Sequence, residues 1–260
     1  MSWVLDLDGV VWRGNKVIQG SVEAVERLYK LGESVYFVTN NSMLTPSEYV
    51  SKMSSFGIAI EQKQMFTSAM AAASMLDQSA KVYVIGGGNG IREAVEKRGI
   101  RVVEDSASAN AVVLGWNPGI TFEMITNAMR AIRSGARYIA TNADPTYPNP
   151  EGLLPGTGCF AAAVAVASGV EPVYAGKPHS PIASMIRPLL SGNDFMIGDR
   201  ISTDGRFAKI LGAHFGLVLT GVNESYSDSD IVQSTVAADL GSLVRIYEEH
   251  GYLPVGNFSG

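Results

Sequence analysis

Two aspartates stand two residues apart where the first apolar run of this chain ends, in Asp6-Leu7-Asp8-Gly9-Val10-Val11-Trp12. Trp3-Val4-Leu5 ahead of them reads as a short buried strand, and Gly9 lets the backbone turn just past the pair. Residues i and i+2 of a strand lie on one face, so continued extension sets the two carboxylates side by side, while a bend at Gly9 aims them differently. Like charges this close repel, and the cost is tolerated mainly where a cation or a proton transfer uses it. One carboxylate then attacks as a nucleophile and the other moves protons. The alternative for the same residues is a solvated strand-to-turn connection, because Asp-x-Asp-Gly also builds turns.

Three more segments carry groups that fit this chemistry. Val35-Tyr36-Phe37-Val38 runs into Thr39-Asn40-Asn41-Ser42, small hydroxyl and amide groups at a strand end, where open α/β sheets bind ligands. Such donors suit a phosphoryl oxygen. Lys177 follows the run Val173-Tyr174 and lies between Gly176 and Pro178, where its ammonium can balance clustered carboxylates and phosphate. Phe195-Met196-Ile197-Gly198 leads into Asp199-Arg200-Ile201-Ser202-Thr203-Asp204, which brings the acids at two strand ends to four. An oxygen-rich set without Cys or His favours Mg²⁺. His179, His214 and His250 show no metal-ligand spacing and read as structural or solvated. Ile85-Gly86-Gly87-Gly88-Asn89-Gly90 loosely mimics a dinucleotide fingerprint but misses its register, and reads as a tight strand-to-helix turn.

The elements that must position these groups alternate as short apolar strands and amphipathic helices, the pattern of a parallel α/β sheet. Strands are expected at Trp3–Leu5, Ser34–Val38, Lys81–Ile85, Ala111–Leu114, Tyr138–Ala140, Asp194–Ile197 and His214–Leu219. Ser21 is expected to cap a helix that Gly32 stops. Thr45-Pro46-Ser47-Glu48 is a capping box, and Thr121 opens a helix closed by Gly135. Thr141 to Pro155 holds Asn142, Asp144, Tyr147, Glu151 and four prolines, and reads as a stiff loop.

Composition narrows the class. Apolar residues make up 46% and charged residues 17%, which is ordinary for a folded enzyme and excludes a disordered chain. A net charge of −5 leaves no basic stripe for nucleic acid. The longest uncharged apolar stretch, Phe160 to Ala167, is far too short to span a bilayer, and no signal peptide is visible, which points to the cytoplasm. Cys159 is the single cysteine, so no internal disulfide forms, and it reads as a small buried side chain.

In order, Asp6-x-Asp8-Gly9, Thr39, Lys177 and Gly198-Asp199-(x)₄-Asp204 resemble the four motifs of the haloacid dehalogenase superfamily. Asp-Leu-Asp-Gly-Val-Val-Trp, Thr-Asn-Asn-Ser, Ala140-Thr141-Asn142-Ala143-Asp144-Pro145 and Gly152-Leu153-Leu154-Pro155-Gly156-Thr157-Gly158 narrow this. They resemble the subclass with a large α/β cap between motifs two and three: 4-nitrophenylphosphatases, phosphoglycolate and glycerol-phosphate phosphatases, and NagD-like enzymes. Gly205 departs from the apolar residue usual after the last aspartate, which is expected to loosen the helix start.

The resemblance implies a doubly wound, mostly parallel core at residues 1–75 and 175–260 interrupted by a cap at 76–174. It implies that Asp6 attacks phosphorus, that Asp8 protonates the leaving alcohol and then activates water, and that Thr39, Asn40 and Lys177 hold the phosphoryl group. Mg²⁺ would sit on Asp6, the Asp8 carbonyl and Asp199, with Asp204 in support. The implied activity is hydrolysis of a small phosphorylated metabolite such as glycerol phosphate. The stiff loop from Thr141 to Pro155 in the cap then reads the leaving group through Asp144, Tyr147 and Glu151, or else is a structural turn ahead of a helix starting near Gly158. A phosphotransferase using the same intermediate and a catalytically silent binding protein are the alternatives, and a homodimer through the cap is the candidate assembly.

Overall fold

The expected strands form two separate parallel sheets in the computed structural model, which describes residues 1–149, 152–222 and 234–258. The larger sheet orders its strands Gly256–Phe258, Ser234–Ala237, His214–Val218, Phe195–Gly198, Ser2–Leu5, Ser34–Thr39 and Met65–Thr67, every neighbouring pair parallel. Its central strands, Ser2–Leu5 and Phe195–Gly198, are buried throughout, as apolar runs covered on both faces must be. The smaller sheet orders Val173–Tyr174, Arg137–Ala140, Ala111–Leu114, Lys81–Ile85 and Arg101–Val102, again all parallel. The chain is therefore an α/β fold with a doubly wound sheet built from both ends of the sequence and a second sheet built from its middle.

Helices cover both faces of the larger sheet. Ser21–Lys30 and Leu240–His250 pack against Trp3, Leu5 and Phe37 on one side. Ser68–Ser74, Ser180–Ile186 and Arg206–Leu211 pack against Val4, Val38 and Met196 on the other. That second core does not stop at the sheet: it continues through Ala69 and Ala72 to Val82, Ile91 and Val113 of the smaller sheet. Truncating Met196, fully buried in this layer, to alanine should cost about 2–5 kcal/mol.

Local signals account for most helix starts. Thr45 accepts the Glu48 N–H at 3.2 Å while the Glu48 carboxylate accepts the Thr45 N–H at 2.7 Å, the reciprocal capping box. Thr121 caps Phe122–Arg133 in the same way from its side chain. Ser21 differs from expectation. It is the first helical residue behind a left-handed Gly20, and its hydroxyl donates to the Val10 carbonyl at 3.1 Å instead of capping. Gly205 does not loosen its helix. It keeps right-handed helical angles, closing a wide turn over Ile201–Gly205 that leads directly into Arg206–Leu211.

The proline-rich segment is not a loop. Thr146–Asn149 and Gly152–Pro155 pair as an antiparallel hairpin, with Tyr147 opposite Leu154. Glu151 lies outside the described residues. Cys159 is exposed, not buried, because the helix Thr157–Ser168 turns it outward, with Sγ 3.0 Å from the Pro145 carbonyl. The strands at 65–67, 234–237 and 256–258 were not expected. They are three or four residues long, too short for a repeating pattern, and neighbouring strands supply the pairing.

Candidate active site

Strand register brings the chemistry to one edge. Leu5 pairs with Ile197 on one side and Phe37 on the other, so the residues that follow emerge together at the carboxyl ends of three adjacent strands. These are Asp6, Asp199 and Thr39. Ser2–Leu5 is also where the winding reverses, the point at which open α/β sheets bind ligands.

Three glycines make room for the acids, one of them in the turn after Asp6. Gly9 adopts φ +88°, and a Cβ there would lie 2.5 Å from Asp199 Oδ2. A Cβ on Gly221 would lie 1.8 Å from the same oxygen, and one on Gly198 would lie 2.3 Å from the Asp204 carboxylate. Small residues thus make room for the acids. Asp199 is then aimed by the Val222 N–H, which donates to its Oδ2 at 2.7 Å. Asp204 is fully buried and accepts the Arg200 N–H at 3.1 Å.

Lys177 holds the cluster together. It is 2% exposed, and its Nζ lies 2.8 Å from Asp6 Oδ1 and 2.7 Å from Asp204 Oδ1. Burial by itself pulls its pKa down, but Asp204 and Asp6 outweigh that and hold it above the ordinary lysine range. Burial pushes Asp6 well up, with Lys177 pulling back and Asp204 and Asp199 adding to the rise. Asp199 is pushed up to about 7, first by burial and then by Asp204.

One lysine does not balance three buried carboxylates, and oxygens of Asp6, Asp199 and Asp204 all lie within 4.8 Å of one another. An all-oxygen donor set with excess negative charge fits a hard divalent cation. The Asp8 side chain does not belong to this cluster. Its Oδ1 accepts the Trp12 indole N–H at 3.0 Å, and burial raises its pKa against the opposing pull of Lys52, whose Nζ sits 4.1 Å over the Trp12 ring.

Thr39 is buried at the cleft, where its Oγ1 accepts the Asn41 N–H at 3.0 Å and its side chain also hydrogen-bonds Tyr49. Asn40 behaves differently from expectation. Its Oδ1 accepts the Lys177 N–H at 2.8 Å, and its Nδ2 donates to the Lys177 carbonyl and to Asp144 Oδ2, both at 3.0 Å. With both hydrogens engaged, its side chain joins three segments of the site and has no free donor for a phosphoryl oxygen.

The opposite wall comes from the middle of the chain: Asp144, Thr146, Tyr147, Thr157 and Trp116. Sequence reading missed Trp116. It follows the strand Ala111–Leu114, and the rule that ligand groups follow parallel strands could have found it. Arg200 also lines the cleft. The glycine-rich turn does not. A Cβ on Gly88 would lie 2.5 Å from the Met43 carbonyl and one on Gly90 2.3 Å from the Ser42 carbonyl, so these glycines let two backbones touch. The Gly90 N–H donates to Met43 O at 2.9 Å.

Residues 3–101 match the family of haloacid dehalogenase-like hydrolases, and residues 174–243 match a second, HAD-hydrolase-like family. A 5'-nucleotidase of Bacillus subtilis is 38% identical over 91% of this chain and 94% of its own. This chain belongs to the haloacid dehalogenase-like hydrolases. Among solved structures, the p-nitrophenyl phosphatase of Archaeoglobus fulgidus superposes with a TM-score of 0.84 at 33% identity, covering 94% of this chain and 98% of that one. The glycerol phosphate phosphatase of Mycobacterium tuberculosis in complex with magnesium gives 0.81 at 30% identity, covering 94% of this chain and 78% of that one. The relatives of this hydrolase are thus phosphatases of small phosphomonoesters. Among the described residues no helix is long and apolar enough to cross a membrane.

Proposed function

We propose that this chain is a Mg²⁺-dependent phosphatase that hydrolyses small phosphomonoesters in the cytoplasm through an aspartyl-phosphate on Asp6. The observation that carries the reading is Lys177, buried and shared by Asp6 and Asp204 beside Thr39 and Asp199 at adjacent strand ends. Lys177 and Thr39 hold the phosphoryl oxygens, and Asn40 fixes Lys177 by bonding both its N–H and its carbonyl. The Asp6 carboxylate attacks phosphorus, the bond from phosphorus to the ester oxygen breaks, and Asp8 gives that oxygen its proton. Water then attacks phosphorus, Asp8 takes its proton, and the bond to Asp6 breaks to release phosphate. Asp6, the Asp8 carbonyl and Asp199, with Asp204 in support, would hold Mg²⁺, whose positive charge would offset the repulsion between nucleophile and dianion.

Residues 1–75 and 175–260 are the catalytic core in this reading and 76–174 the cap. The relatives' names cover a nucleotide, 4-nitrophenyl phosphate and glycerol phosphate, which share only the phosphoryl group. That supports a core that treats the phosphoryl group alike in every substrate. A homodimer through the cap would cover Phe122 and Val166, each 86% exposed on cap helices. The test is phosphate release from 4-nitrophenyl phosphate with Mg²⁺ and with EDTA. Release should vanish on chelation, return with Mg²⁺, and be absent in Asp6→Asn. Release by Asp6→Asn, or by metal-free protein, would overturn the mechanism.

A further inference from the structure

Asp8 serves both halves of the proposed reaction, first giving a proton and then taking one, so its carboxylate needs the same aim twice. The turn that carries it is closed on itself. The N–H groups of Val10, Val11 and Trp12 all donate to the Leu7 carbonyl, at 3.2, 2.9 and 3.2 Å, and the Gly9 N–H donates to the Trp12 carbonyl at 2.7 Å. This sets Trp12 against Asp8, and its indole N–H donates to Asp8 Oδ1 at 3.0 Å. No other hydrogen bond among the described residues reaches that carboxylate. Oδ2 is therefore the oxygen left to handle a proton at the cleft, which Asp8 lines.

An indole suits this task. It is a donor only and carries no charge, so it neither accepts the proton nor fixes the carboxylate as an anion, as a lysine or arginine in its place would. Packing does not require the pairing. Trp3, equally buried in the same core, leaves its indole N–H without a hydrogen-bond partner among the described residues. Trp12 is itself held by the helix Pro46–Ser55. Its ring stacks on Tyr49 with centroids 6.3 Å apart and planes 13° from parallel, and it meets Phe56 just past the helix end at 5.8 Å. Lys52 Nζ lies 4.1 Å over the same ring and donates to the Gly14 carbonyl at 3.0 Å. The Tyr49 hydroxyl donates to the Asn41 carbonyl at 3.2 Å, two residues past Thr39. One helix thus fixes the holder of the acid and the strand end that carries Thr39.

We propose that Trp12 is a positioning residue for Asp8, its indole N–H holding Oδ1 so that Oδ2 meets the ester oxygen and then the attacking water. This rests on the phosphatase reading and adds a residue to it. The proton on Oδ2 passes to the ester oxygen as its bond to phosphorus breaks, and Oδ2 regains one from the water as that oxygen bonds phosphorus and the bond to Asp6 breaks. The full chain with Mg²⁺ is assayed for kcat/KM on two substrates of nearly the same shape. The phenol of 4-nitrophenyl phosphate leaves without a proton, and that of phenyl phosphate leaves poorly. Asp8→Asn should lower the phenyl-to-nitrophenyl ratio by ~10-fold or more. Trp12→Phe keeps a ring and removes the donor. It should lower the same ratio by ~5-fold or more, because a group misplaced by about 1 Å can cost 10²-fold. In the Asp8→Asn background Trp12→Phe should move the ratio less than ~2-fold, since no proton is left to aim. A residue that only fills the core would slow both substrates alike and act equally in both backgrounds. Trp12→Phe leaving the ratio unchanged or raised, or shifting it equally in both backgrounds, overturns the proposal. Where Trp12→Phe does not fold, the indole N–H proton resonance of Trp12 decides: it should move upfield in Asp8→Ala, and an unmoved resonance overturns the proposal. Wild type that hydrolyses neither substrate, or Asp8→Asn that leaves the ratio unchanged, overturns the phosphatase reading and the proposal with it. A ratio moved by Asp8→Asn and not by Trp12→Phe overturns the proposal alone.

Discussion

Replacing Lys177 by methionine keeps the length of the side chain and removes its charge, and the site sets what that should cost. The ammonium makes two charge-assisted contacts, 2.7 Å to Asp204 and 2.8 Å to Asp6, in surroundings where Asp204 is fully buried. Removing one member of a buried ion pair costs about 3–5 kcal/mol, because the other charge is left without compensation. Here two carboxylates lose the same partner, so the upper part of that range is expected for metal-free protein at about pH 8. At roughly 2–4 °C per kcal/mol for a chain of this size, the unfolding midpoint should fall by about 10–20 °C. The cost has a ceiling, because a stranded carboxylate can take up a proton at about 1.4 kcal/mol per pH unit. The sign follows for each group. Lys177 has a raised pKa, so its contribution in wild type is complete below the ordinary lysine value and is lost only as pH climbs through the raised one. The deficit of Lys177→Met across neutral pH is therefore set by the carboxylates, and it should shrink as pH falls toward about 5. Urea or thermal unfolding of chelated wild type and variant at both pH values measures this. The double variant Lys177→Met/Asp204→Asn should recover at least ~1 kcal/mol, since it also removes one stranded charge. A cost within ~1 kcal/mol at the higher pH, or one undiminished at the lower, would refute Lys177 as the counter-charge of buried acids.

Asp8→Asn should lower turnover of alkyl phosphates by ~10²-fold or more but turnover of 4-nitrophenyl phosphate by less, because a good leaving group does not need its proton; equal losses in steady-state assays would remove Asp8 as the acid. Asp199 is held up to about 7, so the folded state favours its protonated form. Its effect is to make metal-free protein lose stability as pH rises from about 4 to 7, by roughly 1.4 kcal/mol per unit at most; Mg²⁺ should flatten the slope, and calorimetry of Asp199→Asn should show it gone. Gly221→Ala places a Cβ 1.8 Å from Asp199 Oδ2, so the aspartate must move. Mg²⁺ affinity by calorimetric titration should then drop ~10-fold or more, with a stability loss of about 1–3 kcal/mol because the buried Asp199 is displaced, and unchanged affinity would detach Asp199 from the metal.

Much of this molecule was legible before any coordinates. The apolar runs ending in Asp6, Thr39 and Asp199 became the three adjacent strands, and the Thr45 and Thr121 caps formed where their residues stand. These features depend on contacts within a few residues, which periodicity and capping rules describe directly. The family motifs were legible for a related reason: their order along the chain survives whatever the fold does with the segments between them. Other features depended on segments far apart in sequence. Asn40 carries the donors and acceptor expected of a phosphoryl ligand, yet Asp144, 104 residues away, and Lys177, 137 residues away, take them up. Gly88 and Gly90 looked like a weak nucleotide loop, and only the approach of Met43 and Ser42 shows what the missing side chains make room for. Cys159 was expected inside and stands outside, because helix orientation and not residue type decides which face is covered. The one local sign at Trp116 was its position just past the strand Ala111–Leu114. Its place over the cleft arises where a strand of the smaller sheet ends opposite the hairpin carrying Tyr147 and Pro155. Sequence by itself determined which groups are available and which strand ends present them. Tertiary structure decided which of those groups remain free, because a hydrogen-bonding side chain is spent by whichever partner the packed elements bring within 3 Å.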